Sequence, residues 1–322
     1  MLKEVPRLRV YGDMVLSKVV ECVPNFSEGR NKKVLDEILS VIKKHNAVKL
    51  LDFSPDPDHN RTDVTLVGSP DDVKAAVMDI AIKCVELIDM NKHKGEHPRM
   101  GAIDVVPFIP VYNVTMEECI ELANEFAKEF SERTNVPCYL YEEAAKREDR
   151  RNLADVRRGE FEGLKKEIGR NPNKIPDYGP NRIHPTAGAT AVGARFFLIA
   201  FNVNLGTNNL DVAKKIAKAV RHSSGGYRYV KAMGFDIKER NIVQVSMNLV
   251  NYQKTPIHRV FETIKNEAER YGVPVIGSEI VGLIPLEALF DVANHYLRLE
   301  DFELDQVLEK KLLDTMIEKT GR

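Results

Sequence analysis

The residues most able to do chemistry in this chain lie together in His93-Lys94-Gly95-Glu96-His97-Pro98-Arg99-Met100-Gly101-Ala102. Two imidazoles, a carboxylate and a guanidinium fall between positions 93 and 99, a tighter mix of titratable groups than any other segment holds. Gly95, Pro98 and Gly101 interrupt regular structure, so the stretch is expected to be a shaped loop. The apolar run from Ile103 to Pro110 reads as a buried strand carrying that loop. Imidazole exchanges protons near neutrality, which makes His97 the candidate acid–base group. Glu96 is placed to fix its tautomer, and Arg99 to hold a carboxylate through its planar fork. The plainer reading of His97 is a histidine that pins the loop by hydrogen bonding. His93-x-x-Glu96-His97 also matches an H-x-x-E-H zinc pattern, which requires both histidines on one helical face. Gly95 and Pro98 disfavour that helix, and no third ligand motif follows. No metal is expected; a metal-dependent hydrolase using His93, Glu96 and His97 stands as the competing enzyme reading.

Around this loop the elements are legible. Residues 1–14 read as an amino-terminal extension. Val15 to Val23 is expected as a strand, followed by the polar loop Pro24 to Arg30 and a helix with Val34, Leu35, Ile38, Leu39, Val41 and Ile42 on one face. Strands over 47–52 and 61–68 come next. Ser69-Pro70-Asp71-Asp72 is a strong helix start, and that helix delivers the chain into the loop. The strand at 103–109 completes a βαββαβ unit. The second half repeats it: a strand at 196–201, a loop over 202–209, a helix from 210, strands at 229–235 and 242–251, a helix from 257 and a last strand from 273. The expected fold class is α+β, two tandem ferredoxin-like sandwich subdomains. A purely parallel sheet fits less well, because strands 47–52 and 61–68 leave no room for a crossover helix.

Between the units, Thr115-x-x-Glu118 is a capping box opening a helix. A strand at 136–141 and a charged helical connection over 142–170 follow. The proline-rich segment 171–180 is the natural boundary, giving subdomains 15–178 and 179–322. Gly188-x-x-x-x-Gly193 has the glycine spacing of a phosphate loop but lacks the Lys-Ser/Thr that grips phosphate. It reads instead as a tight junction, or as backbone approaching a flat ligand. Asn25 and the pair Asn202 and Asn204 fall at equivalent places in the repeat, either capping helices or lining a cleft shared by the units. Arg61 opens a strand and is a surface charge or a second carboxylate ligand. His184, beside Pro185, is a loop pin or a lining residue.

Composition excludes several classes. A formal charge of −1 on 322 residues gives no basic footprint for nucleic acid. No apolar run approaches the ~20 residues that span a bilayer, and no signal-peptide core opens the chain. The four cysteines lack metal or redox spacing and suit buried thiols in a reducing cytoplasm.

Taken together, Val20 to Gly29, Asn60-Arg61-Thr62, Gly95 to Ala102, Val136 to Tyr141 and Leu198 to Leu205 resemble the formiminotransferase family, from about residue 18 to residue 300. The resemblance implies two ferredoxin-like subdomains with a folate site between them, usually in a homodimer. It implies transfer of a formimino group from N-formimino-L-glutamate to tetrahydrofolate, a step of histidine degradation, without a metal. His97 matches the family's catalytic histidine. The family's folate-contacting segment maps onto Gly179 to Gly188, which brings in Gly179, Asn181, His184, Thr186 and Gly188. Ala187 stands where an aromatic is expected in animal relatives. The cyclodeaminase part of the longer relatives is not matched, so a separate cyclodeaminase is the expected partner. A non-catalytic module binding folate or an amino acid is the alternative outside enzymology.

Overall fold

The computed structural model describes residues 18–95 and 98–312. The expected extension 1–14, the first residues of the strand from Val15, and both Glu96 and His97 lie outside the described residues. Strand β1 (Val19–Cys22) and strand β2 (Asn25–Phe26) are separated by Val23-Pro24, where the ladder breaks because proline has no N–H to give. Asn31 caps helix α1 (Lys32–Ser40), its side chain accepting from the N–H groups of Lys33 and Val34. Strands β3 (Lys49–Asp56) and β4 (Arg61–Gly68) form a hairpin. Ser69 caps helix α2 (Pro70–Leu87), which leads through the 88–102 loop to strand β5 (Ile103–Tyr112). β1 and β2 both lie between β4 and β5, so the spatial order is β3, β4, β1/β2, β5.

The sheet continues beyond β5. Helix α3 (Met116–Thr134) opens with the Thr115/Glu118 capping box read from sequence. Strand β6 (Cys138–Glu142) follows, then two short helices, α4 (Leu153–Val156) and α5 (Glu160–Glu167), in place of one charged connection. They are more than a solvated linker: Val156, Leu164 and Ile168 pack on Val105, Tyr139 and Ala191. Strand β7 (Thr190–Ala194) then inserts between β5 and β6, parallel to both. The run of small residues around Gly193 is therefore neither a phosphate loop nor a junction. It is a strand buried on both faces, and a Cβ on Gly193 would meet the Tyr141 ring at 2.6 Å. Residues 179–194, expected with the second half, contribute to the first sheet because β7 completes its hydrogen bonding.

The second half forms its own antiparallel sheet, ordered β11, β8, β10, β9. Strand β8 (Ile199–Leu205) is followed by α6 (Leu210–Val220), β9 (Val230–Ile237), β10 (Ile242–Leu249), α7 (Ile257–Arg270), β11 (Val275–Val281) and α8 (Leu286–Leu297). Asn202 and Asn204 lie inside β8, not in a loop after it. Val203 and Leu205 face the core between them, as the two-residue period of a strand requires.

In the first half, Ile38, Val77, Ile80, Phe126 and Phe130 cover one face of the sheet, with Phe108 and Phe126 edge to face at 5.8 Å. Ile216, Val260 and Ile264 cover the second sheet in the same way. Each such side chain stabilises the fold by roughly 1.5–3 kcal/mol. These cores hold the sheets rigid enough to fix the loops at their ends.

Candidate functional site

The loop from Met90 to Ala102 is tied down on every side. Met90 donates its N–H to the Thr186 carbonyl at 2.8 Å, and the Asn91 amide reaches the Pro185 carbonyl at 2.9 Å. Ala102 donates to Ala187, and Ala189 donates to Met100. Ser27 binds it from the residue after β2, its hydroxyl donating to the Gly101 carbonyl at 2.8 Å. Asn60, in the left-handed region at φ 50°, is a hub. Its amide oxygen accepts from Gly29 N–H, its amide nitrogen donates to the Lys94 carbonyl, and its own carbonyl meets His93 Nε2 at 2.8 Å. Two glycines make the close approach possible: a Cβ on Gly95 would lie 2.1 Å from the His59 carbonyl oxygen, and one on Gly101 2.0 Å from that of Ala189. Gly95 packs against the His59 backbone, and the Arg99 carbonyl accepts from Phe161 N–H at 2.9 Å.

Arg99, expected to hold a substrate carboxylate, meets carboxylates of the chain itself. Its Nη1 donates to Glu160 and Glu162, its Nη2 to Glu162 at 2.6 Å, and its Nε to His93 Nδ1 at 3.2 Å. A guanidinium already answered by two carboxylates is a poor receptor for a third. Arg99 is a clamp between the loop and α5. The Glu162 bonds push its pKa further up, and in return they hold the Glu162 carboxyl below its usual range.

The tautomer of His93 follows. Arg99 Nε can only donate, so Nδ1 is an acceptor and Nε2 carries the proton given to Asn60. Burial, which disfavours the imidazolium, holds the ring below its ordinary pKa despite the Asn60 carbonyl. With both nitrogens engaged, His93 would give up one of these bonds to ligate a metal. Among the described residues no cluster of three or more His, Cys, Asp or Glu has metal-binding geometry.

Around the loop the structure gathers several of the expected residues. Asn25 is buried, its amide donating to the Val23 carbonyl while its oxygen accepts from Arg61 Nη2. Arg61 also donates from Nε to Asp63 at 3.1 Å. Thr186 and Gly188 lie against the loop, with Gly188 bridging to Gly101. His184 pins its own turn: its Nδ1 accepts from Ala187 N–H at 3.0 Å, and burial lowers its pKa. Two expected residues are engaged elsewhere. Gly179, at φ 90°, turns the chain against Ser131 and Val136, and Asn181 accepts from Gly169 N–H.

Asn202 and Asn204 face a different group, on the second sheet. Asn204 donates to Glu279 Oε1 at 2.9 Å and accepts from Gln244, which also reaches Glu279 Oε2. The bond from Asn204 leads those that hold the Glu279 carboxyl below its usual range. Glu279 was not legible as a site residue, because its partners lie on strands remote in sequence. His59, whose backbone carbonyl lies beside Gly95, meets a local partner, its Nδ1 lying 2.5 Å from Asp56 Oδ2. The halves touch where Lys231 of β9 approaches Glu142 of β6 at 3.6 Å. A cleft of about 890 Å³ lies away from all of this, between α7, α8 and β11, walled by Phe201, Phe261, Val292 and Tyr296. It shares no residue with the loop, so the loop geometry is the better guide to chemistry.

Two family models cover the chain: the formiminotransferase domain, N-terminal subdomain, over residues 19–195, and the formiminotransferase domain over residues 200–322. The division between them coincides with the gap between β7 and β8. The chain is 51% identical to glutamate formimidoyltransferase of Streptococcus pyogenes serotype M1, over 92% of this chain and 100% of that one. It is 48% identical to glutamate formimidoyltransferase of Thermoplasma acidophilum, over 91% and 97%. Formimidoyltransferase-cyclodeaminase of Dictyostelium discoideum is 45% identical over 95% of this chain, which spans 57% of that longer protein. With both subdomain models matched, and relatives of this identity aligned nearly end to end, the chain belongs to the formiminotransferase family.

Proposed function

We propose that the protein is a glutamate formimidoyltransferase, moving the formimino group of N-formimino-L-glutamate to N5 of tetrahydrofolate with release of L-glutamate. The observation that carries this reading is the anchored loop, whose Gly95 and Gly101 contacts, Arg99 clamp and His93 pin fix the ends of the segment holding Glu96 and His97, in a chain 51% identical to a relative so named.

The chemistry follows from the donor. N5 attacks the amidine carbon, forming a C–N bond and a tetrahedral intermediate. Breaking the bond to the glutamate nitrogen requires a proton on that nitrogen, because an amide anion does not leave. His97 supplies it and takes up the proton shed by N5, a contribution typically worth ~10²–10⁴ in rate. Glu96 orients the imidazole. Asn25 and Arg61 bind the substrate on the first sheet, while Asn202 and Asn204, through Glu279, face the pterin from the second. Positioning and proton transfer suffice.

The same reading takes each half as a ferredoxin-like sandwich, supported by the shared order in which the first strand lies between the third and fourth. It takes the protein as a cytoplasmic homodimer. The exposed apolar side chains of Ile276, Ile280 and Val281 on β11 and Leu289, Tyr296 and Leu297 on α8 support the dimer, and the four buried free thiols support a reducing compartment. A cyclodeaminase activity consumes the product. The test is formimino transfer from formiminoglutamate to tetrahydrofolate, followed by glutamate release, with N-formylglutamate run beside it and a chelator in a third arm. Turnover insensitive to chelation is expected; folate binding without turnover would support a binding module instead.

A further inference from the structure

Three arginines near the loop are withdrawn from solvent, and they differ in how their donors are answered. Arg99 is saturated by Glu160, Glu162 and His93. Arg150, its side chain 5% exposed, donates to Asp177 and to the carbonyls of Asn173 and Ile175, and lies over the Tyr139 ring. Both are structural. Arg157, which closes α4, has a side chain only 11% exposed, yet among the described residues one hydrogen bond accounts for its guanidinium: Nη2 to Asp104 Oδ2 at 2.5 Å. Its Nε is buried with no partner among the described residues. Asp104 is itself fully buried, and its other oxygen accepts the Met100 N–H at 2.7 Å, so the pair is coupled to the loop backbone. Arg61 is bonded to Asn25, which pairs with Val105 next to Asp104, so the two arginines converge on the same stretch of β5; burial and the like charge of Arg61 both work against the charge on Arg157.

Buried donors in native proteins are answered, and one left open beside a second cation calls for an anionic acceptor. A planar carboxylate fits the unanswered donor of Arg157, and Arg61 adds positive charge beside it. We propose that Arg157, together with Arg61, forms a subsite for a carboxylate of the glutamate moiety, with Asp104 holding Arg157 in place against the loop. This assignment rests on the transferase reading for the identity of the acid. The formimino donor and the folate tail both carry such carboxylates, and the experiment separates them.

Arg157→Lys keeps the charge and loses the fork. Steady-state kinetics with each co-substrate varied in turn should show KM for one of them rising ~10- to 100-fold, the loss of one charge-assisted hydrogen bond, with kcat changed far less. A rise confined to formiminoglutamate assigns the donor carboxylate; a rise confined to tetrahydrofolate, and absent with a tail-less pterin, assigns the tail. A purely structural Arg157 would lower the melting temperature and leave both KM values within twofold, which would overturn the proposal. Should Arg157→Lys fail to fold, the double variant Asp104→Asn/Arg157→Met removes both buried charges at once and should fold while losing the same affinity. Calorimetric titration of wild type and variant with L-glutamate and with tetrahydrofolate decides the matter independently of turnover. Equal affinity for both ligands would refute the subsite, whereas wild-type binding without catalysis would refute only the transferase reading.

Discussion

Nε of Arg99 donates to Nδ1 of His93 at 3.2 Å, and this one bond fixes both the tautomer of the histidine and the purpose of the arginine. It makes the loop a braced structure whose charged residues hold one another. Arg99→Met should therefore lower stability by about 1–3 kcal/mol, because it strands a half-buried acceptor on His93. It should also reduce kcat ~10-fold or more with little change in KM. A variant with raised KM, normal kcat and normal melting would instead mark Arg99 as a substrate ligand.

The glycine contacts give a paired prediction. Gly101→Ala drives a Cβ to 2.0 Å from the Ala189 carbonyl oxygen, and backbone there must shift. The expected cost is about 3 kcal/mol, the upper end for overpacking, with activity falling in parallel. Gly163 in α5 has nothing within 4 Å of an added Cβ, so Gly163→Ala should stabilise by roughly 0.5–1 kcal/mol. Urea denaturation of both variants checks the contrast, and similar midpoints would contradict it.

Much of this frame was readable beforehand, for reasons that are local. Ser69 before Pro70 and Thr115 before Glu118 write their caps into adjacent residues, and both helices begin where expected. β7 was not readable: Thr190-Ala191-Val192-Gly193-Ala194 lacks the bulky alternation of a strand because both its faces press on Tyr141 and neighbouring strands. Asn202 and Asn204 read as loop residues because polar residues inside a strand mimic a turn; Glu279 and Gln244, which answer the buried Asn204 amide, lie on strands remote in sequence. The loop 93–101 was legible by composition, but its use of Arg99 was not, since Glu160 and Glu162 lie some sixty positions away. Arg157 gave no signal within a run of mixed charge.

The neutral state of His93 predicts a pH effect on stability. Burial holds its folded pKa below the unfolded value of about 6.5, so the unfolded chain binds the proton more readily between the two. Its contribution is complete above that unfolded value and is lost as pH falls through the folded one. His93→Gln keeps a donor for Asn60 and an acceptor for Arg99 without titrating. Its melting temperature should fall less steeply below pH 6.5 than that of wild type, with His184 and His258 leaving a residual slope. Identical slopes would count against the assigned tautomer.

The exposed apolar side chains on β11 and α8 predict association. Sedimentation velocity should show a dimer, and Ile280→Glu, on β11 with its side chain turned to solvent, should shift it toward monomer. A monomer at micromolar concentration in the wild type would remove that reading.

The central claim is that an imidazole at position 97 delivers the proton on which glutamate departs. Single-turnover formimino transfer by His97→Ala, with folding confirmed by its melting curve, measures this directly. The account predicts a rate ~10²- to 10⁴-fold below wild type with both substrates still bound; a folded variant that transfers at the wild-type rate would contradict it.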